Sequence, residues 1–147
     1  MTFIDTNLLV YAAVPQDAVK MRRAREVLAD LRRGETGVLS LQVLREFANA
    51  LYRKSPLSTP AIHQWFDAFA AFPCVGESLE MLRRGMEIKA RHGLQYYDAL
   101  VVAAAESAGC DTIYSEDMAD GGVYEGIRVD NPFASAYGGF SHRHSWS

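Results

Sequence analysis

Short runs rich in apolar and β-branched residues recur at residues 2–5 (TFID), 37–40 (GVLS), 73–75 (PCV), 112–115 (TIYS) and 127–130 (IRVD), and the longer stretches between them carry helical rather than alternating periodicity. Strands this short, joined by connections of helical length, cannot form a series of tight hairpins. They suit crossover helices, and so a parallel sheet enclosed on both faces. The expectation is one α/β domain with a short central parallel β-sheet flanked by helices on both faces, spanning residues 1–133. The Gly-, Ser- and His-rich residues 134–147 have no periodicity and are read as a mobile tail.

The helical segments have recognisable ends. Val19, Ala24, Val27, Leu28 and Leu31 follow helical spacing across residues 17–33, and Gly34 and Gly37 punctuate the end. Ser40 is placed to cap a helix reaching Arg53, with Pro56 blocking extension. In that helix Leu44, Phe47, Ala48 and Leu51 form the expected core stripe, with Gln42, Glu46, Asn49 and Arg53 facing the other way. Ser58 or Thr59 caps the next helix, Pro60 sits in its first turn, and Ile62, Trp65, Phe66, Phe69 and Ala70 share its core face. Residues 77–91 read as a helix ended by Gly93. Residues 98–108 have almost no polar face apart from Glu106 and Ser107, which predicts a central, enclosed helix. Residues 116–126 read as an acidic, glycine-containing loop.

Composition removes several function classes. The net charge of −3 excludes a globally basic nucleic-acid binder, but charge is uneven: residues 1–110 carry 13 Lys/Arg against 12 Asp/Glu, whereas residues 111–147 carry 2 against 6. Arg22, Arg23, Arg25, Arg32, Arg33, Arg53, Lys54, Arg83 and Arg84 are available to contact phosphates if the fold gathers them; otherwise they are solvated helix faces. Cys74 and Cys110 stand alone, outside any zinc or disulfide pattern, which fits a reducing cytoplasm. The apolar opening MTFIDTNLLVYAAV is interrupted by Asp5 and Asn7 and is too short to span a bilayer, so a buried strand entering a turn is expected and no membrane.

In a doubly wound sheet, ligands bind beyond the carboxyl ends of the strands where connections diverge. Asp5 ends the first strand, Asp117 lies two residues beyond the 112–115 strand, and Asp98 opens the helix before it. Carboxylates gathered without cationic partners resist ionisation unless a hard divalent cation sits among them, which points to Mg²⁺ or Mn²⁺. Each acid also has an ordinary explanation. Asp98 suits a helix N-terminus, Glu46 lies on a face that periodicity makes solvated, and Glu116 and Asp120 compete with Asp117 for the last position. Asp5 is harder to dismiss, because it occupies a position where apolar side chains are expected.

The ordered segments FIDTNLLVY, LQVLREF, YYDALVVAAAESAGCDTIYSEDMADG and IRVDNPF resemble a PIN domain of the VapC toxin type over residues 2–133. That resemblance implies that Asp5, Asp98 and Asp117 are metal-site carboxylates and that Glu46 completes an acidic quartet. It makes Thr6, Asn7 and Ser115 groups that orient the carboxylates or the substrate, with Ser115 standing where many relatives carry threonine. It further implies an endoribonuclease in which metal-activated water hydrolyses RNA phosphodiesters, a cognate antitoxin protein and a homodimer. His63, His92, His142 and His144 belong to no motif and are not required by this chemistry.

Haloacid-dehalogenase chemistry would want a second aspartate where Asn7 stands. A receiver-like domain would want a late lysine, and residues 111–147 contain none. A PIN-like module that binds RNA or protein without turnover is the rival outside enzymology, and metal-dependent turnover discriminates it.

Overall fold

The apolar runs pair side by side in one sheet of a computed structural model that describes residues 1–55 and 57–134. The elements in chain order are β1 (Thr2–Ile4), α1 (Thr6–Ala13), α2 (Ala18–Gly34), β2 (Gly37–Ser40), α3 (Leu41–Lys54), α4 (Thr59–Phe69), β3 (Cys74–Val75), α5 (Leu79–His92), α6 (Tyr96–Ser107), β4 (Thr112–Tyr114), β5 (Val123–Tyr124) and β6 (Ile127–Asp130). The strand order is β3-β2-β1-β4-β6-β5. Every pairing is parallel except that of β5 with β6. The expected α/β domain with its helix-flanked parallel sheet is therefore observed, with one antiparallel edge strand added. The residues of the expected tail from 135 onward, with His142 and His144, lie outside the described residues, as does Pro56.

That edge strand falls in the segment expected to be a loop. Glu125 and Gly126 both take positive φ, 53° and 80°, which is the two-residue turn that lets β5 fold back on β6. The Glu125 carboxylate accepts from Arg84, Arg91 and His92, pinning the hairpin to the end of α5. A Glu-Gly pair lacks the Asn-Gly or Asp-Gly signature that marks such turns in sequence. His92, a helix-end residue in no motif, has this structural partner.

Local chemistry sets most helix ends. Asp17 accepts from the amides of Val19 and Lys20 to start α2; Ser40, Ser58 and Ser78 do the same for α3, α4 and α5. Gly93 closes α5 in the left-handed region as expected, whereas α2 ends on left-handed Glu35 rather than on a glycine. On α3 the buried stripe is Val43, Phe47, Ala50 and Leu51, with Leu44 and Ala48 only partly covered. Gln42, expected on the outer face, is buried as well, because the first turn of α3 leaves the enclosed end of β2 directly. On α4, Ile62 and Phe69 are buried and Trp65 and Phe66 pack around Phe47, while Ala70 is exposed. Residues Ala99 through Ala105 of α6 are all buried, so the nearly all-apolar helix is enclosed as its sequence predicts.

The sheet is narrow at β2. A methyl group added at Gly37 would lie 2.7 and 2.8 Å from ring carbons of Phe72 and 3.1 Å from Ile4 Cδ1, and all three residues are buried. Gly37→Ala is expected to cost roughly 1–3 kcal/mol by overpacking. Urea unfolding checks this, and an unchanged midpoint would mean that Phe72 can move aside.

Candidate active site

Parallel pairing of β1 with β4 puts Ile4 beside Tyr114, so the next residues, Asp5 and Ser115, emerge together at the carboxyl edge of the sheet. The Asp5 amide donates to the Tyr114 carbonyl at 3.0 Å, extending the pairing by one bond. Asp5 is also the N-cap of α1. Its Oδ1 accepts from the Thr6 amide at 2.8 Å, and its Oδ2 accepts from Ser115 Oγ at 2.8 Å. Only 6% of Asp5 is exposed. Burial, partly opposed by the bonds from Ser115 and Thr6 and reinforced by the charges of Asp117 and Glu46, pushes its carboxyl up to about 6.

Thr6 and Asn7 project from the first turn of α1 toward two other acids. Thr6 Oγ1 donates to Glu46 Oε1 at 2.7 Å, which ties α1 to α3. Asn7 Nδ2 lies 3.3 Å from Asp117 Oδ2 and 3.4 Å from Ser115 Oγ, while Asn7 Oδ1 accepts from the Glu116 amide at 3.1 Å. Ser115 Oγ accepts from the amides of Asp117 and Met118 at 3.2 and 3.3 Å while donating to Asp5. One serine hydroxyl thus shapes the loop after β4 and orients the buried carboxylate.

Asp98 lies in the first turn of α6, two residues inside the helix rather than at its cap. Its carboxyl accepts no hydrogen bond among the described residues, and burial followed by the charges of Asp117 and Glu46 raises its pKa. Asp5 and Asp98 are therefore each within electrostatic range of both Glu46 and Asp117. They are not drawn into a closed cage: among the described residues, no three acids, histidines or cysteines stand close enough to hold an ion as placed.

The three acids after β4 have different surroundings. Glu116 accepts from Tyr11 Oη at 2.8 Å and pairs with Lys20, whose Nζ sits 4.8 Å from the centre of the Tyr11 ring. Asp120 accepts from the Asn131 amide at 2.8 Å. Asp117 is exposed and faces Asn7. Lys20 and Tyr11 were not singled out in the sequence. The only hint is that Tyr11 lies one helical turn after Asn7 on α1.

A cavity of about 440 Å³ opens beside these groups, lined by Thr6, Asn7 and Tyr11 of α1, by Glu46, Asn49, Arg53 and Lys54 of α3, and by Glu116 and Asp117. Arg53 and Lys54 occupy the last turn of α3, and no carboxylate among the described residues pairs with either. Three other members of the basic set are engaged elsewhere. Arg84 bridges Glu106, Glu87 and Glu125; Arg33 pairs with Asp30; Arg25 donates to the Ala12 carbonyl. Several of the basic residues are thus engaged away from the site, but two of them line the same cavity as Glu46 and Asp117.

The raised Asp5 carboxyl has a consequence for stability. The folded chain keeps a proton on Asp5 between pH 3.8 and about 6, where the unfolded chain has lost it, so stability rises as pH falls through that window. In EDTA the protein is expected to unfold at higher denaturant at pH 5 than at pH 7.5. Asp5→Asn should remove most of that difference and stabilise the neutral protein by up to roughly 3 kcal/mol. Glu125, held down to about 2 chiefly by His92 and Arg91, acts in the opposite direction and only below its usual 4.5, outside this comparison. Denaturation at the two pH values checks the sign.

Comparison with known proteins agrees with this architecture. The family model described as PIN domain matches residues 2–119. Among solved structures, the Mycobacterium tuberculosis toxin VapC20, described as cleaving the sarcin-ricin loop, superposes with a TM-score of 0.66 at 18% identity, covering 80% of this chain and 90% of its own. A toxin-antitoxin complex from Klebsiella pneumoniae gives 0.68 at 17% identity, covering 90% and 98%. VapBC2 from Rickettsia felis, bound to a DNA fragment from its promoter, gives 0.64 at 15%, covering 88% and 97%. No curated protein sequence matches. The family match spans most of the chain: the chain belongs to the PIN domain family.

Proposed function

We propose that this protein is an endoribonuclease that hydrolyses RNA phosphodiesters at the carboxyl edge of its sheet with a bound divalent cation, Mg²⁺ or Mn²⁺, and that it is the toxin of a toxin-antitoxin pair. The observation that carries this reading is that acids and cations line one cavity together. Glu46 and Asp117 line it, with Asp5 and Asp98 each in electrostatic range of both, and Arg53 and Lys54, which pair with no carboxylate among the described residues, line it as well. A polyanion attracted by the two cations would be repelled by the neighbouring acids unless a divalent cation lay among them.

The donor chemistry fits such a cation. All four acids offer hard oxygen ligands, and burial, reinforced by the charges of Asp117 and Glu46, raises the Asp5 and Asp98 carboxyls. Asp5, Asp98 and Asp117 would hold it, moving together from the open arrangement described. When bound, it would supply charge neutralisation at the phosphate and acidify water.

The chain's own residues do the rest. Ser115 and Asn7 fix the orientations of Asp5 and Asp117. Glu46, with Oε1 held by Thr6, keeps Oε2 to accept a proton from the attacking water. Arg53 and Lys54 hold the backbone phosphates. Water adds at phosphorus, the bond to the 3′ oxygen breaks, and that oxygen takes a proton from solvent water, leaving a 5′-phosphate and a 3′-hydroxyl.

The Klebsiella and Rickettsia structures contain antitoxins, and we extend that pairing, together with a homodimer, to this chain. Cys74 and Cys110 are both unpaired, which supports a reducing cytoplasm as its setting. No helix among the described residues is long and apolar enough to cross a membrane.

The test is RNA cleavage by the antitoxin-free protein with Mg²⁺ or Mn²⁺, beside EDTA. Asp98→Asn is expected to lower the rate about 100-fold or more. Arg53→Gln and Lys54→Gln should each flatten the slope of log affinity against log salt by about 0.7, as loss of one phosphate contact does. Cleavage that survives EDTA, or that leaves cyclic phosphates, would overturn the mechanism. RNA binding without turnover would make the protein a binding module.

A further inference from the structure

The acidic site has a second flank that neither the cavity nor the carboxylate chemistry uses. Tyr97 sits in the first turn of α6, immediately before Asp98, and is 65% exposed. Its neighbour Tyr96 is half-buried and donates its hydroxyl to the Leu82 carbonyl at 3.2 Å, so it is fixed against α5. The two rings are 6.1 Å apart and tilted by 50°. Tyr97 itself makes no hydrogen bond among the described residues, and it lies outside the buried core. A single exposed aromatic is ordinary; its place beside a candidate catalytic acid is the information.

Arg45, on α3 one residue before Glu46, is within electrostatic range of both Glu46 and Tyr97 and is braced by Glu77. Arg53 lies eight residues further along the same helix, about 12 Å at the helical rise. α3 therefore presents Arg45 near Tyr97 at one end of the acidic site and Arg53 with Lys54 at the other. Cationic side chains along a path with an aromatic face beside it are the recurring equipment for holding an unpaired nucleic-acid strand. A protein partner would ask for a broader apolar patch than a tyrosine flanked by Arg45 and exposed Gln95.

We propose that Tyr97 is the stacking platform for one unpaired base next to the scissile phosphate, with Arg45 on the same edge attracting the adjoining backbone. The inference rests on the nuclease reading for the nature of the strand. Tyr97 touches the substrate and sets which position along it is cut, whereas Asp98 beside it serves the chemistry. Stacking accepts any base, so selectivity at this place comes from the requirement that the base be unpaired and splayed out.

The experiment uses a short unstructured RNA with a fluorescent adenine analogue at each position in turn, bound in Mg²⁺ to the full chain carrying Asp117→Asn to suppress cleavage. One position is expected to show quenching. Adding Tyr97→Phe should preserve both quenching and affinity. Adding Tyr97→Ala should abolish the quenching and weaken binding by about 5- to 150-fold, the loss of one stacked base. Circular dichroism and thermal midpoint should not move, because the side chain is exposed and alanine suits a helix. In the otherwise unaltered protein, Tyr97→Ala should raise KM far more than it lowers kcat.

Unchanged binding and quenching in Tyr97→Ala would overturn the proposal. So would a Tyr97→Ala protein whose RNA binding is intact but whose oligomeric mass or antitoxin affinity has changed, which would make the residue a protein contact. Tyr97-dependent RNA binding by a protein that cleaves no RNA would leave the platform standing and remove the nuclease reading.

Discussion

The hydrogen bond from Ser115 to Asp5 joins the two strand ends on which the site depends. Parallel register brings Asp5 and Ser115 to the same edge, and the 2.8 Å bond between them holds the carboxylate against the loop after β4. The same Asp5 caps α1, so the first turn that carries Thr6 and Asn7 is aimed by the group those residues surround. Through Thr6 the constraint passes to Glu46 on α3, and through Asn7 to Asp117. Three segments far apart in the chain are thereby referred to one buried carboxylate. The free energy of holding it ionised is of the same order as a sizeable fraction of a domain's net stability.

Lys20 explains why the acids after β4 do not all add to that cost. Glu116 would otherwise place another negative charge beside Asp117. Its pairing with Lys20 and its bond from Tyr11 offset that charge, and the Phe133 ring meets Tyr11 edge-on at 5.0 Å. The loop is thus anchored by one acid and presents another. Asp120 is spent on the Asn131 amide, which secures the chain leaving β6.

Much of this was legible in the sequence because backbone periodicity and capping chemistry are local. Ser40, Ser58, Gly93 and the apolar run after Asp98 each announce their structure within a few residues, and Asp5 stands out as an acid among apolar neighbours. The β5–β6 hairpin was not legible, because Glu125 in the left-handed region is stabilised by Arg84, Arg91 and His92 from a distant helix rather than by turn propensity. Gln42 was misplaced for a similar reason: helical periodicity assigns a face, but it cannot say that a first turn is covered all round. The distinction among Glu116, Asp117 and Asp120 needed Lys20 and Asn131, which no spacing rule connects to them. The resemblance supplied the order of the acids; the surroundings of each came only from tertiary contacts.

The geometry of α3 ties these strands of argument together. Its buried stripe of Val43, Phe47, Ala50 and Leu51 fixes the helix against the core, and its opposite edge is left to carry Arg45, Glu46, Asn49 and Arg53 past the carboxyl end of the sheet. A helix rotated by one residue, about 100° at 3.6 residues per turn, would bury Glu46 or withdraw it from Thr6. The hydrophobic packing therefore does more than stabilise the fold. It sets the phase of a polar edge that carries Glu46 between Arg45 and Arg53, so a substitution at Phe47 would act on the site through helix rotation without touching it. That dependence makes the core of α3, rather than any surface loop, the element that aligns acid, cation and cavity.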